Sequence, residues 1–342
     1  MLEIDGSYGE GGGQILRNAV ALSVLTNKSI KILNIRANRP NPGMKAQHYV
    51  ALKSIAEITN AEVKGLKIGS SQIYFKPNKI KSDVYKFDIG TAGSITLVFQ
   101  ACILALTKFS ETVTIRLTGG TDVRWSPPWD YFQNVYLPII KKMGITVQSK
   151  LLLRGYYPKG GGEALIKINP TEKIKPLKCS DQEKYEDING NINITNLPDH
   201  ISGRVKHTAI KTLLKNNYFA SVKEEKSTSL SPGVGICLWC NTKNTVIGAS
   251  FLGEKGITSE EVGQTAANNL LEEINSNVTL DKYAFDQILP YLVLSRKNGK
   301  SVCRIKELTN HASTNMWLLQ QFYDDAKFEA IQNEENIKIS VQ

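Results

Sequence analysis

The chain has 342 residues, of which 41% are hydrophobic and 22% charged, with a net charge of +10 and a pI near 9.2. The length predicts a large core and two or more domains, and the positive charge favours a polyanionic partner such as nucleic acid or nucleotide, although a merely basic surface gives the same number. Five cysteines at irregular spacing exclude a disulfide framework, and the lack of a signal peptide or of an apolar run of about 20 residues predicts a cytoplasmic protein with no membrane partner.

A short apolar strand at Leu2–Ile4 leads into DGSYGEGGGQILR, Asp5–Arg17, and then into helical spacing from Ile15 onward. Five glycines lie between Gly6 and Gly13. A simple β–α turn needs one or two. The excess predicts a backbone that bends tightly or lets another group come very close. Free N–H groups beside a helix start suit an anion. Glu10 adds a possible metal ligand and Arg17 a possible anion clamp. Neither a Walker A loop nor a GxGxxG fingerprint is present.

A strand at Ser29–Ile35 follows, then a basic loop, Arg36-Ala-Asn-Arg39-Pro-Asn-Pro-Gly43, which Pro40 and Pro42 stiffen. Its arginines suit bidentate phosphate contacts or plain surface charge. Met44–Thr59 has helical spacing, with Gln47 and His48 in its first turn, and strands follow at Ala61–Lys64 and Gln72–Lys76. The pattern then restarts. A strand at Tyr85–Ile89, a small-residue turn GTAGS (Gly90–Ser94), an almost wholly apolar helix at Ile95–Leu106 with Gln100 as its polar exception, and a strand at Thr112–Leu117 follow in order. Ser126-Pro127-Pro128 opens a helix over Trp129–Met143, and strands follow at Ile145–Leu153 and Glu163–Ile168.

A unit of about 80 residues, β–turn–α–β–loop–α–β–β, thus occurs twice in the first 170 residues, as a repeat of architecture rather than of sequence. The alternation predicts an α/β fold, with α+β layers. Lys173–Gly190 is polar and reads as a linker. Beyond it come a strand at Asn191–Thr195, a helix at Ile201–Leu214, strands at Phe219–Lys223, Gly235–Asn241 and Thr245–Phe251, and a helix at Ser259–Asn275. From Leu280 the earlier unit returns: a helix around Tyr283–Leu294, a strand at Ser301–Ile305, a polar loop carrying His311, a helix at Thr314–Tyr323, and strands at Lys327–Ile331 and Ile337–Val341. We read this as a third unit interrupted by an inserted domain.

Of the four histidines, His200 and His207 fall in the inserted region, and His48 either packs or touches a ligand. His311 lies in LTNHASTN, Leu308–Asn315. A lone loop histidine is commonly just solvated, yet neutral imidazole is a competent nucleophile and, once protonated, a good leaving group. Cys237 and Cys240 fall on a strand, where residues three apart face opposite ways, so buried thiols are expected there rather than zinc. Trp125, Trp129, Tyr156 and Tyr157 stand near turns, where they either stack on bases or pack.

Taken together, DGSYGEGGGQILR, IRANRPNPGMKAQH, DIGTAGSITLVFQ, GGTDV, YYPKGGG and TNHASTN resemble the RNA 3′-terminal phosphate cyclase family in order and spacing. The resemblance runs to about Ile168 and resumes near Leu280. It implies three βαβαββ units similar to the C-terminal domain of translation initiation factor three, with a smaller α/β domain inserted into the third. The implied limits are 1–178 with 278–342 for the catalytic part and 179–277 for the insert.

The resemblance also implies the chemistry. A histidine, matched here by His311, attacks the α-phosphorus of ATP to give histidine–AMP. The AMP passes to an RNA 3′-phosphate, and the vicinal 2′-OH then displaces AMP to leave a 2′,3′-cyclic phosphate. Gln100, Pro127, Tyr283, Asp286 and Gln287 match ATP contacts. Glu10 matches the ligand of a divalent metal, Mg²⁺ or Mn²⁺. Arg17, Arg36, Arg39 and Gln47 match positions near the phosphates or the RNA end. The partners implied are ATP and RNA ending in a 3′-phosphate, and a homodimer is left open. The family pattern does not lead one to expect Trp125 and Trp129. The alternatives are a cyclase-like protein acting in ribosomal RNA processing, which lacks the histidine, and an enolpyruvyl-transferase-like enzyme built from similar repeats.

Overall fold

The structure is a computed structural model that describes residues 1–181 and 184–342. Its first sheet holds β1 (Leu2–Asp5), β2 (Ile30–Leu33), β3 (Glu62–Lys64) and β4 (Ile73–Lys76), in the order β1-β2-β4-β3. β1 and β2 run parallel, joined through α1 (Gly13–Thr26), and the other pairs are antiparallel. α2 (Ala46–Ile58) links β2 to β3.

The second sheet holds β5 (Val84–Asp88), β6 (Val113–Gly119), β7 (Val147–Leu153) and β8 (Gly162–Ile168), in the order β5-β6-β8-β7. Along β6 every second residue is buried, from Val113 to Gly119, as expected of a strand with one covered face. α3 (Ile95–Leu106) joins β5 to β6 and is buried almost all round, because it packs against α1 and α2. The helix expected over Trp129–Met143 is interrupted. A short α4 (Trp129–Tyr131) passes through a π-helical turn at Phe132–Tyr136 into α5 (Leu137–Lys142). The wider turn accompanies a run of aromatic contacts from Phe99 through Trp129 and Phe132 to Tyr136.

A third sheet, in the order β10-β9-β11-β12, is built from β9 (Ile188–Thr195), β10 (Ala220–Ser227), β11 (Gly233–Asn241) and β12 (Val246–Leu252). α6 (His200–Leu214) buries Val205, Ala209 and Leu213, one residue per turn. With α7 (Ser259–Asn275) it forms a core separate from the main one. Cys237 and Cys240 are free, buried thiols, and no cluster of three or more metal-ligating side chains occurs among the described residues.

The fourth sheet follows α8 (Lys282–Ser295) and comprises β13 (Ser301–Ile305), β14 (Phe328–Gln332) and β15 (Ile337–Val341), in the order β13-β15-β14, with α9 (Asn310–Phe322) between β13 and β14.

Two further expectations need correcting. Lys173–Gly190 is not all linker. Leu177 O accepts from Val302 N, Cys179 N donates to Val302 O, and a parallel bridge joins Lys178 to β13, while β9 begins at Ile188; Gln182 and Glu183 of this stretch lie outside the described residues. Second, His311 is not in a loop. Thr309 caps α9 by accepting from Ala312 N, so His311 sits in the first helical turn.

Candidate active site

The glycine-rich turn between β1 and α1 lies against α9. Tyr8 stacks on Trp317 with ring centroids 3.9 Å apart, and Asn18 donates to Asn315 Oδ1 at 3.0 Å. Gly9 has φ +57°, and a Cβ there would stand 2.3 Å from Thr314 Oγ1. A Cβ on Gly13 would stand 2.0 Å from His48 Nε2 and 3.0 Å from Arg17 Nη1. Side chains at these positions would push α9 and the basic groups away from the turn.

That contact sets Glu10 beside His311, with Oε2 3.2 Å from Nε2. The same Glu10 oxygen accepts from Arg39 Nη2, also at 3.2 Å. Behind them lies Arg17, which has no carboxylate partner among the described residues. Burial draws its pKa down to about 10, so it stays charged at neutral pH. His48 is the opposite case. Burial, helped by Arg17, Arg36 and Lys45, pushes it down to about 3, and its Nδ1 accepts from Lys45 N. It is therefore a neutral filler in a cationic corner, a residue the sequence left between packing and ligand contact.

A cavity of about 480 Å³ opens on His311. Arg17, Gln100, Pro127, Tyr283, Asp286 and Gln287 all reach its wall. Gln100 Nε2 donates to Gln287 Oε1, and Gln287 in turn donates to Tyr283 O, which ties α3 to α8. Thr96 Oγ1 donates to Pro127 O and fixes the proline turn on α3. Gln14 Oε1 is shielded from solvent without a hydrogen-bond partner among the described residues, and Gln14 also lines the cavity. A buried acceptor left open in a cavity fits a ligand that brings a donor.

Asp286 connects the halves of the site. Its Oδ1 accepts from Thr309 Oγ1 at 2.7 Å, and its carbonyl accepts from Asn315 Nδ2. Burial, with smaller contributions from the Asp281 and Glu10 charges, pushes its carboxyl up to about 7.

The remaining candidates lie elsewhere. Arg36 Nη1 donates to Asn41 O and Gly43 O, bracing its own loop. Gln47 Oε1 accepts from Ser94 N and holds the second small-residue turn. Neither lines the cavity. Of the four aromatics, Trp129 and Tyr156 are buried, whereas Trp125 and Tyr157 are exposed.

The sequence reading missed two contributions. Ser250, Phe251, Leu252 and Glu254, from the end of β12 and the turn after it, line the cavity although they belong to the separate third sheet. Asp281 caps α8 at Tyr283 N and Ala284 N while accepting from Tyr131 Oη and Gly248 N. The DKYAF spelling marks Asp281 as a helix cap, but its two long-range partners leave no local trace.

The sequence profile described as RNA 3′-terminal phosphate cyclase matches residues 8–329, which takes in the glycine turn, the cavity wall and His311. The chain belongs to the RNA 3′-terminal phosphate cyclase family. It is 44% identical to the RNA 3′-terminal phosphate cyclase of Pyrococcus furiosus, over 94% of this chain and 93% of that protein. Identity to the Thermococcus kodakarensis cyclase is also 44%, over 94% and 92%. Against the Methanosarcina acetivorans cyclase it is 41%, over 100% of both. No helix among the described residues is long and apolar enough to cross a membrane.

Proposed function

We propose that this chain uses ATP to convert an RNA 3′-terminal phosphate into a 2′,3′-cyclic phosphate. The observation that carries this reading is His311 in the first turn of α9, 3.2 Å from Glu10 and facing the cavity walled by Gln100, Tyr283 and Gln287. Family membership supports the same reading.

The chemistry runs in three displacements. An imidazole nitrogen of His311 attacks the α-phosphorus of ATP; the bond to the bridging oxygen breaks and pyrophosphate leaves. An oxygen of the RNA 3′-phosphate attacks the same phosphorus, and His311 departs, giving RNA(3′)pp(5′)A. The vicinal 2′-OH loses its proton, attacks the RNA phosphorus and expels AMP. The last step is intramolecular, with the proximity advantage that this brings. A phosphomonoester is a poor electrophile, so adenylation supplies the leaving group.

Tyr283 and Pro127 offer apolar faces to the adenine, and Gln100, Asp286 and Gln287 offer polar groups to the nucleoside. Arg17 and the N–H groups at the starts of α1 and α9 draw the phosphates toward His311. Arg39 reaches the same anions once it parts from Glu10. Arg36 and Gln47 act by holding the loops that carry these groups. Glu10 is a carboxylate side chain 31% exposed and suits a hard divalent ion whose remaining ligands are phosphate oxygens and water. When bound, such an ion neutralises charge on the triphosphate.

For the architecture we propose three βαβαββ units of the translation initiation factor three type, with residues 179–277 inserted in the third. The shared order of the first two sheets supports this, as does Leu177–Cys179 lying parallel to β13 where a first strand is expected.

Incubation with RNA ending in a labelled 3′-phosphate tests the reaction. The end should become resistant to phosphatase only when ATP and a divalent ion are present. An end that stays phosphatase-sensitive contradicts the proposal.

A further inference from the structure

Trp125 is the outstanding exposed apolar side chain, 93% accessible, while Trp129 four residues on is 1% accessible. Its exposure is not that of a loose segment. Trp125 has φ +57°, a left-handed backbone that a non-glycine residue adopts only under strain. The turn around it is held from several sides. Ser126 Oγ donates to Val123 O at 2.9 Å, Thr96 Oγ1 to Pro127 O at 2.7 Å, and Trp129 N to Thr121 O at 3.0 Å. Arg124 pairs with Glu254, from the turn that follows the third sheet, and its guanidinium carbon stands 5.9 Å from the Trp125 ring centroid. A strained, braced turn thus presents a large indole to water with a cation against its ring. Strain of this kind persists where the surroundings impose it, and such places cluster at ligand sites.

The location narrows the ligand. Trp125 lines the same cavity as Tyr283, Gln287 and His311. The intermediate of the proposed reaction carries two nucleosides on one pyrophosphate, so the site must hold two bases. Tyr283, 57% exposed and sharing the wall with Pro127, supplies a face for one. The cavity, about 480 Å³, lies toward the low end of ordinary small-molecule pockets, whereas the intermediate brings two nucleosides to it. The second base therefore belongs at an exposed aromatic face on the rim.

We propose that Trp125 is a binding residue for the RNA substrate: the 3′-terminal base of RNA stacks on its indole, with Arg124 fixed beside it by Glu254. This rests on the cyclase reading above. Stacking of this kind tolerates any base, because every base has a π-face. The site therefore takes RNA ends with little regard to sequence and requires that a base be present.

The test measures binding of a fluorescent RNA ending in a 3′-phosphate, by anisotropy, to wild type, W125A and W125F. A second RNA of the same sequence lacks the terminal base. Formation of protein–AMP is titrated with ATP in the same three proteins. W125A should raise the Kd for the intact RNA by about five- to 150-fold, the range a single stacked base contributes. W125F should recover most of that. Wild type should bind the abasic end as weakly as W125A binds the intact one, and W125A should not distinguish the two RNAs. Equal Kd values for wild type and W125A would overturn the proposal. So would a comparable rise in the ATP needed by W125A, which would put the adenine on Trp125 instead. Because RNA binding is read without turnover, failure of wild type to form protein–AMP would strike the cyclase reading and leave the stacking result standing.

Discussion

Asp286 shows how a single side chain can join two jobs in this site. It lines the cavity that opens on His311 and also holds Thr309, the cap of the helix that carries His311. Its carboxyl titrates near 7 in the folded chain against 3.8 as a free group, so the folded state keeps a proton that the unfolded chain has already lost. Stability from this group is therefore full below about pH 4 and declines as the pH rises toward 7. Asp286→Asn keeps an oxygen for Thr309 and removes the titration. Relative to wild type, the variant should gain on the order of 2 kcal/mol between pH 5 and pH 8. Urea unfolding at both values measures this, and parallel pH profiles for the two proteins would contradict the buried carboxyl. The roles of Gln47 and Arg36 could not be read from the sequence for a physical reason. Both are polar residues in a basic motif of the kind that suits phosphate, but their hydrogen bonds go to backbone groups, Ser94 N in one case and Asn41 O and Gly43 O in the other. Side-chain type is written in the sequence, and a backbone partner is not.

At the scale of elements, the glycine turn, α1 and α9 form one assembly. Gly9 must be glycine on two counts, its positive φ and the 2.3 Å that would separate a Cβ from Thr314 Oγ1. Gly9→Ala should strain the backbone and displace α9. A misplacement of about 1 Å at a reacting group costs on the order of 100-fold in rate, so protein–AMP formation should fall by about that much while far-UV circular dichroism shows a folded chain. Wild-type adenylation by Gly9→Ala would separate the turn from the chemistry. Most elements were legible because their patterns are local. The apolar Ile95–Leu106 and the capped Ser259–Asn275 have the bounds their sequences suggest. Two were not. β10 runs on to Ser227 through Glu224, Glu225 and Lys226, which carry no apolar alternation, because its parallel pairing with β9 continues to Thr195. The start of α9 was placed too late because LTNHASTN is mostly polar, and Thr309 is recognisable as a cap only once its bond to Ala312 N is known.

At the scale of the molecule, a buried ionic cluster joins the second and third sheets. Arg154, its side chain 1% exposed, contacts Asp122 at 3.2 Å, Asp130 at 3.0 Å and Glu225 at 2.8 Å. Asn191 and Asn193 of β9 donate to Asp130 as well. Arg154→Met leaves these carboxylates without their cation, and removing one partner of a buried pair costs about 3–5 kcal/mol. Chemical denaturation should register a loss of that size, and a loss under about 1 kcal/mol would mean the cluster is compensated from solvent. Nothing in the spelling of RGYYPKGGG foretells these partners, which come from residues 24 to 71 positions away. The α/β character and the family were both legible, because each rests on short motifs in a fixed order. The part the third sheet plays in closing the cavity was not, since it depends on how that sheet docks. We propose above all that His311 forms a covalent bond to AMP inside that cavity. Its most direct test is incubation with ATP labelled at the α-phosphate and a divalent ion, followed by denaturing electrophoresis. An acid-labile, base-stable label is expected on the wild-type chain and none on His311→Ala; label that persists in His311→Ala, or none on the wild type, would rule out the His311–AMP bond.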